Sequence, residues 1–285
     1  MISRVLLALS IIGAQLVCAA ACASNSKLVG TGGVTQIEGS AGGGLVPWAT
    51  IAGLETSEEI GGSAFYTHLA PKDFALTSIG VAVGLHDRVE LSTARQIFDL
   101  GDSAPGESIR MDIVGAKLRI AGDALFDHRA WMPQISVGAQ YKINRDFESI
   151  PRSLGAHDDS GVDLYLAATK VFIAGLAGRS TLVNLTVRAT ESNQLGLLGF
   201  GGGAGYSLQP EFTLASFLTD KVIVGAEYRF KPDNLSAARE DDFADAFIAW
   251  LPRKTWALVA AYADLGAIAN KKGQRGWYAS LQFSL

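Results

Sequence analysis

Nine side chains stand on the polar side of alternating stretches and could act together: Glu90, Lys117, Arg119, Gln140, Lys142, Asp163, Arg188, Glu227 and Arg229. Each is flanked by residues of the opposite, apolar parity. Charges of this kind are costly against hydrocarbon and tolerable around water or in mutual pairs. Around a water path they would line a pore and set its charge preference. Packed together, they would cross-link and fill a closed interior. Either way the chemistry is binding and selection, with no covalent step and no cofactor implied.

Other candidate chemistry is weaker. Gly199-Phe200-Gly201-Gly202-Gly203-Ala204-Gly205 contains a dinucleotide-type glycine string, but that fingerprint needs a strand before it and a helix after it to hold a pyrophosphate. Pro210 and the pattern from Tyr206 to Phe217 offer no helix, so a flexible loop folded toward the interior is expected. The histidines are His68, His86, His128 and His157. His86 and His128 fall in short turns, His157 in a long loop, and His68 on the lumenal parity near a strand end. No spacing selects a Ser–His pair at one depth on a lipid face, so catalytic residues are not expected. The acidic runs Asp158-Asp159 and Glu240-Asp241-Asp242 would bind divalent ions among lipid phosphates or, as is commoner, simply be solvated.

The elements that must hold these residues are strands. At the end of the chain, Trp277, Ala279, Leu281, Phe283 and Leu285 share one parity and Tyr278, Ser280, Gln282 and Ser284 the other. Period two is the mark of a strand, and about ten residues is what a tilted strand needs to cross a bilayer. At the other end, residues 1–23 read as a secretory signal: Arg4, the apolar run Val5 to Val17, and Ala21-Cys22-Ala23 as a cleavage site. Its removal would take both cysteines, Cys18 and Cys22, and with them thiol chemistry. Glycine is 32 of 285 residues, mean hydropathy is +0.22, and beyond the signal no apolar run is long enough for a membrane helix. Alternating strands that place apolar residues on lipid account for these facts together. The net charge of −4 argues against a nucleic-acid partner.

Along the chain, Ser24 to Gly44 is Gly-rich and is either a first strand or a plug. Leu45–Leu54 reads as a strand. Ser63, Phe65, Thr67 and Leu69 share a face, and Ala75–Leu85 and the stretch from Val89 form a hairpin about the turn His86-Asp87. Ile109–Ile120 shifts its apolar parity near Val114-Gly115, as a β-bulge would make it do. Trp131–Ile143 puts Trp131 and Tyr141 on its apolar face, at the spacing of two aromatic girdles. Further strands follow over Val162–Phe172, Thr181–Arg188, Tyr206–Phe217, Val222–Phe230, Ala244–Leu251 and Trp256–Leu265. Counting back from the C-terminus, connections alternate long and short, the pattern of a barrel with long outer loops and short periplasmic turns. Keeping that rule places Leu195–Gly205 in an external or inward-folded loop. The expectation is an all-β, antiparallel up-and-down transmembrane barrel occupying residues 45–285. It has about fourteen strands, or about twelve if residues 24–44 are a plug and one weak strand is lost.

The chain resembles a family of exported Gram-negative outer-membrane β-barrel proteins. The resemblance rests on Gly43-Gly44-Leu45-Val46-Pro47-Trp48-Ala49, on Asp87-Arg88-Val89-Glu90-Leu91-Ser92 with Ala94-Arg95-Gln96, and on Gly225-Ala226-Glu227-Tyr228-Arg229-Phe230-Lys231-Pro232-Asp233-Asn234. That family lends no activity and no functional residues. In outline the architecture is also similar to outer-membrane transporters of hydrophobic compounds.

These readings converge on passive passage of a small solute, hydrophobic compounds among the candidates, through an outer-membrane barrel without cofactor. Expected partners are outer-membrane lipid and lipopolysaccharide, and the barrel-assembly machinery through the last strand. The alternatives are a non-transporting structural or interaction barrel and, more remotely, an integral membrane enzyme with a Ser or Asp in reach of a lipid-facing His.

Overall fold

The computed structural model describes residues 34–125, 131–203 and 205–285; the expected signal sequence, both cysteines and His128 lie outside them. Two short strands, β1 (Val34–Thr35) and β2 (Ala41–Gly42), pair with each other alone. The other twelve close into one antiparallel barrel: β3 (Ile60–Pro71), β4 (Ala75–Leu85), β5 (Val89–Asp99), β6 (Ser108–Ala121), β7 (Gln134–Asn144), β8 (Ser160–Phe172), β9 (Thr181–Thr190), β10 (Ser207–Thr219), β11 (Val222–Arg229), β12 (Phe243–Arg253), β13 (Trp256–Asp264) and β14 (Arg275–Ser284). Each strand neighbours the next in sequence, and β14 returns to β3 with Ser284 opposite Ser63 and Gly276 opposite Pro71. Closure leaves no unpaired edge, the condition for a sheet that faces hydrocarbon. No helix among the described residues is long and apolar enough to cross a membrane.

The count is therefore twelve, the alternative expected with an N-terminal plug, and not fourteen. The two missing staves are the first strand expected within Ser24–Gly44, of which the described residues begin at Val34, and Leu45–Leu54. Residues 34–54 are buried throughout and lie inside the barrel; at their end Leu54 N–H donates to Leu285 O at 3.0 Å. The barrel proper starts at Ile60 rather than residue 45. Leu45–Leu54 fails as a stave for a local reason. Pro47 has no amide to donate, and a Cβ at Gly53, whose φ is +104°, would crowd the backbone of Gly61 and Gly62.

The wall obeys the two-residue period. Tyr66, Ile79, Leu91, Val137, Tyr141, Leu164, Leu185, Phe212, Ile248, Trp250, Trp277 and Leu281 stand exposed on the outside, while polar residues between them point in. Tyr262 meets Trp277 at 5.3 Å between ring centroids, and Trp256 meets Phe283 at 5.0 Å. These edge-on pairs sit near opposite ends of the β13–β14 hairpin, as aromatic belts at two membrane surfaces would. The end that carries Leu285 has the short connections 86–88, 220–221 and 254–255, although 122–133 is longer. The opposite end has the long connections 145–159, 191–206 and 230–242, although 72–74 is short. The connection 86–88 joins Leu85 to Val89 through three residues rather than the expected two: His86 and Asp87 are left-handed at φ +57° and +49°, and Arg88 N–H donates to Leu85 O at 3.0 Å.

Three local expectations are corrected. The parity of β6 does not slip at Val114-Gly115: its pairing with β5 is unbroken, and the irregularity lies between Arg119 and Ala121. Ile109, Met111 and Ile113 are apolar because they face inward, into a core with Phe98, Leu195, Leu197 and Phe200. His68 is on the outer wall, since Phe65 and Leu69 on the opposite parity are buried inside. Glu240 is not solvated; it is buried and accepts the Gln194 N–H at 2.9 Å. As the loop lengths required, Leu195–Gly205 is part of a connection, and its first half folds into the barrel mouth.

Candidate functional site

The interior wall is a lattice of hydroxyls, amides and charges, and the segment 34–55 lies against it. That segment pairs with no barrel strand; part of its backbone is satisfied within itself, as where Ile37 N–H donates to Gly44 O and Trp48 N–H to Ala41 O, and much of the rest by wall side chains. Pro47 O accepts from Thr186 Oγ1 at 2.7 Å. Ala49 O accepts from Gln134 Nε2 at 2.7 Å and Ser136 Oγ at 2.6 Å, and Ala49 N–H donates to Thr169 Oγ1 at 2.8 Å. The Trp48 indole N–H donates to Thr213 Oγ1 at 3.0 Å.

Three carboxylates anchor the segment. Glu90 accepts from Ser40 Oγ (2.9 Å), Ala41 N–H (3.2 Å) and Ala52 N–H (2.9 Å), so one side chain ties the incoming and outgoing limbs. Lys117, 3.2 Å from Glu90, donates to Ala41 O and Thr50 O at 2.9 and 2.8 Å. Glu227 accepts Leu45 N–H at 2.6 Å and Thr213 Oγ1 at 2.8 Å. A Cβ on Gly43 would overlap Glu227 Oε1, so glycine is what lets the turn close over the carboxylate.

The third carboxylate, Glu38, belongs to the segment itself. It pairs with Lys142, with Arg229 Nη1 at 2.6 Å and with Arg188 Nη2 at 3.6 Å. Burial alone would push its carboxyl upward; Arg229, Lys142 and Arg188 outweigh that and hold it well below the usual carboxylate range. The wall acids complete the cluster: Asp163 lies 2.6 Å from Lys142 and 3.2 Å from Arg188, and Glu211 lies 2.6 Å from Arg188 and 3.3 Å from Arg229. Gln140 Oε1 accepts from Arg188 at 2.8 Å. Lys142 also donates to Leu195 O at 3.0 Å, and Asn144 Nδ2 to Leu197 O at 2.8 Å. The N-terminal segment and the infolded loop thus meet on one ammonium.

Of the nine residues singled out by parity, Glu90, Lys117, Gln140, Lys142, Asp163, Arg188, Glu227 and Arg229 are buried in this lumen. Arg119 is not part of it. It staples turns at the Leu285 end, pairing with Asp87 and, at 2.9 Å, with Asp123. Glu38 and Glu211 were missed. Glu38 is the one charged residue between Val34 and Leu54, a signal that a Gly-rich stretch needs a charged partner somewhere. On the outer wall, His68 Nδ1 and Thr77 Oγ1 share a hydrogen bond at 3.1 Å, with a threonine where a lipid-facing hydrolytic pair would call for Ser or Asp. Among the described residues no group of three or more His, Cys, Asp or Glu is placed to hold a metal ion.

Solved structures similar to this chain are outer-membrane barrels. The KdgM porin is 10% identical with a TM-score of 0.51, covering 78% of this chain and 99% of its own. The same porin in complex with disordered oligogalacturonate gives 0.52 at the same identity and coverage. The outer membrane protein Omp33 of Acinetobacter baumannii is 8% identical with a TM-score of 0.46, covering 81% and 100%. At such identities the likeness is one of fold. Comparison with curated proteins gives no match. Residues 31–282 match the family described as Protein of unknown function (DUF3034), and the chain belongs to that family.

Proposed function

We propose that the protein is an outer-membrane channel or transporter closed by its own residues 34–55, which passes a small solute when that segment withdraws. The long loops then face the cell exterior, Leu285 the periplasm, and the aromatic belts the two lipid surfaces. Lipopolysaccharide surrounds the outer half of the wall, and the terminal strand is what the assembly machinery engages. One observation carries the reading: the polar groups of residues 34–55 are held by wall side chains such as Glu90, Lys117, Thr186 and Glu227, outside the sheet ladder. Beside them is an apolar contact, in which Ile37, Leu45, Val46 and Trp48 share one buried cluster with wall residues such as Phe65 and Leu76. A segment held by side chains, outside the sheet ladder, can leave without opening the barrel.

The charged groups gathered on β7 to β11 around Glu38 make a hydrophobic solute the poorer candidate. Planar-bilayer recording tests the proposal. The full chain is expected to be silent or rarely open, and Glu90→Gln with Glu227→Gln to raise the open fraction, as would deletion of residues 34–55. Silence of both altered forms, refolded and heat-modifiable, sinks it. That silence would favour the second reading, a structural barrel displaying its loops, which the mutual pairing of Lys142, Asp163, Arg188, Glu211 and Arg229 also accommodates.

A further inference from the structure

The charges around Glu38 follow an order along the wall. Lys142 stands on β7, Asp163 on β8, Arg188 on β9, Glu211 on β10 and Arg229 on β11, so cation and anion alternate across five consecutive strands. Each neighbouring pair in this arc is in contact, at 2.6, 3.2, 2.6 and 3.3 Å in turn. An alternating arc that begins and ends on a cation has one positive charge to spare. The wall does not supply the missing carboxylate there; the N-terminal segment does. Arg229 grips it with two nitrogens, Nη1 to Oε2 at 2.6 Å and Nη2 to Oε1 at 3.4 Å, the fork geometry by which guanidinium recognises a carboxylate. Gln36 Nε2 donates to the same Oε2 at 2.6 Å, so Glu38 arrives with part of its solvation already replaced by its own segment.

We infer that Lys142, Arg188 and Arg229 form a lumenal binding site for a small organic carboxylate, which Glu38 occupies as an internal substitute for the solute. The inference rests on residues 34–55 acting as a plug. It adds the class of solute: an anion with a carboxylate small enough to stand where the Glu38 side chain ends. A tethered carboxylate competes at an effective concentration of millimolar or more. Free solute therefore gains the site only as the plug leaves, and a solute in the site opposes the plug's return. Asp163 and Glu211 hold the cations in place and keep the surplus to one charge. That favours a monocarboxylate end group over a densely charged anion, and over inorganic cations altogether.

Chemical rescue tests the site on the full chain. Glu38→Ala opens a gap the size of acetate beside uncompensated cations. Acetate should raise the midpoint temperature of heat modifiability for Glu38→Ala and leave the wild type unmoved, while neutral acetamide and chloride at equal ionic strength should do neither. Adding Arg229→Gln should cancel the acetate response. Should Glu38→Ala not refold in chloride, refolding yield becomes the readout, restored by acetate and not by acetamide. Equal effects of acetate and acetamide, or no effect of acetate on either readout, overturn the inference. Reversal potentials of Glu38→Ala in a salt gradient separate it from the channel reading. Rescue by acetate without conductance leaves the site and removes the channel; conductance without anion preference or rescue leaves the channel and removes the site.

Discussion

Glu227 Oε2 accepts the backbone N–H of Leu45 at 2.6 Å, which places a wall carboxylate inside a turn of the N-terminal segment. The two residues come from separate motifs of the family resemblance, Gly43–Ala49 and Gly225–Asn234. Glu90, which ties Ser40 and Ala52, comes from the third. What the motifs share is the docking of residues 34–55 against the wall. Gly43→Ala should therefore expel the turn, because the added methyl overlaps Glu227 Oε1; overpacking of this kind costs about 1–3 kcal/mol. Protease cleavage near Gly43 in the refolded barrel should rise, with the twelve-stranded wall still heat-modifiable.

Lys142 touches Glu38, Asp163 and Leu195 O. Lys142→Met keeps most of the volume and removes the charge, leaving two buried carboxylates short of a cation. The expected loss is about 3–5 kcal/mol in urea unfolding. As a control, Arg152→Ala breaks a solvated pair with Glu148, where the side chains are 62% and 76% exposed, and should leave the midpoint in place. Equal effects of the two would mean the lumenal cluster is not what holds the interior.

Phe200 is fully buried where the infolded loop closes the mouth. Its backbone pairs with Asp158, and its ring lies against Gly161, whose hydrogen a Cβ could not replace. Phe200→Ala should cost about 3–5 kcal/mol if the gap stays empty, or less if the loop swings out. The second outcome shows as faster hydrogen exchange at Leu195–Leu198 and identifies the loop as separately mobile.

Lys231 lies beyond β11, with its ammonium 3.8 Å from the Phe243 ring centroid and 3.4 Å from Glu240. Burial lowers its pKa from 10.5 to about 8, more than Glu240 restores. Between those values the unfolded chain binds a proton that the folded chain does not, so stability should rise with pH across that window. The penalty is full below about 8, and the slope is at most about 1.4 kcal/mol per unit. Unfolding of Lys231→Met should lack this alkaline rise. An identical slope in both proteins would assign it elsewhere.

Alternation from Trp277 to Leu285 and in its sister stretches determines strands, a two-sided wall and, with the long and short connections, a closed antiparallel barrel. The same bookkeeping marks all nine candidate side chains as interior, and all but Arg119 are buried there. It does so because the period of a strand is local and each face must satisfy one solvent. It could not say what fills the interior. Ile109, Met111 and Ile113 look like a change of parity until the infolded Leu195–Phe200 supplies an apolar core for them to face, and Phe65 and Leu69 misplace His68 in the same way. Residues 45–54 read as a strand by sequence yet join no ladder, since the backbone of residues 34–54 is satisfied partly within the segment and partly by side chains from strands distant in sequence. Only the closed barrel brings Glu38 to Lys142, Arg188 and Arg229, because that contact depends on the curvature that gathers alternate strands around one point.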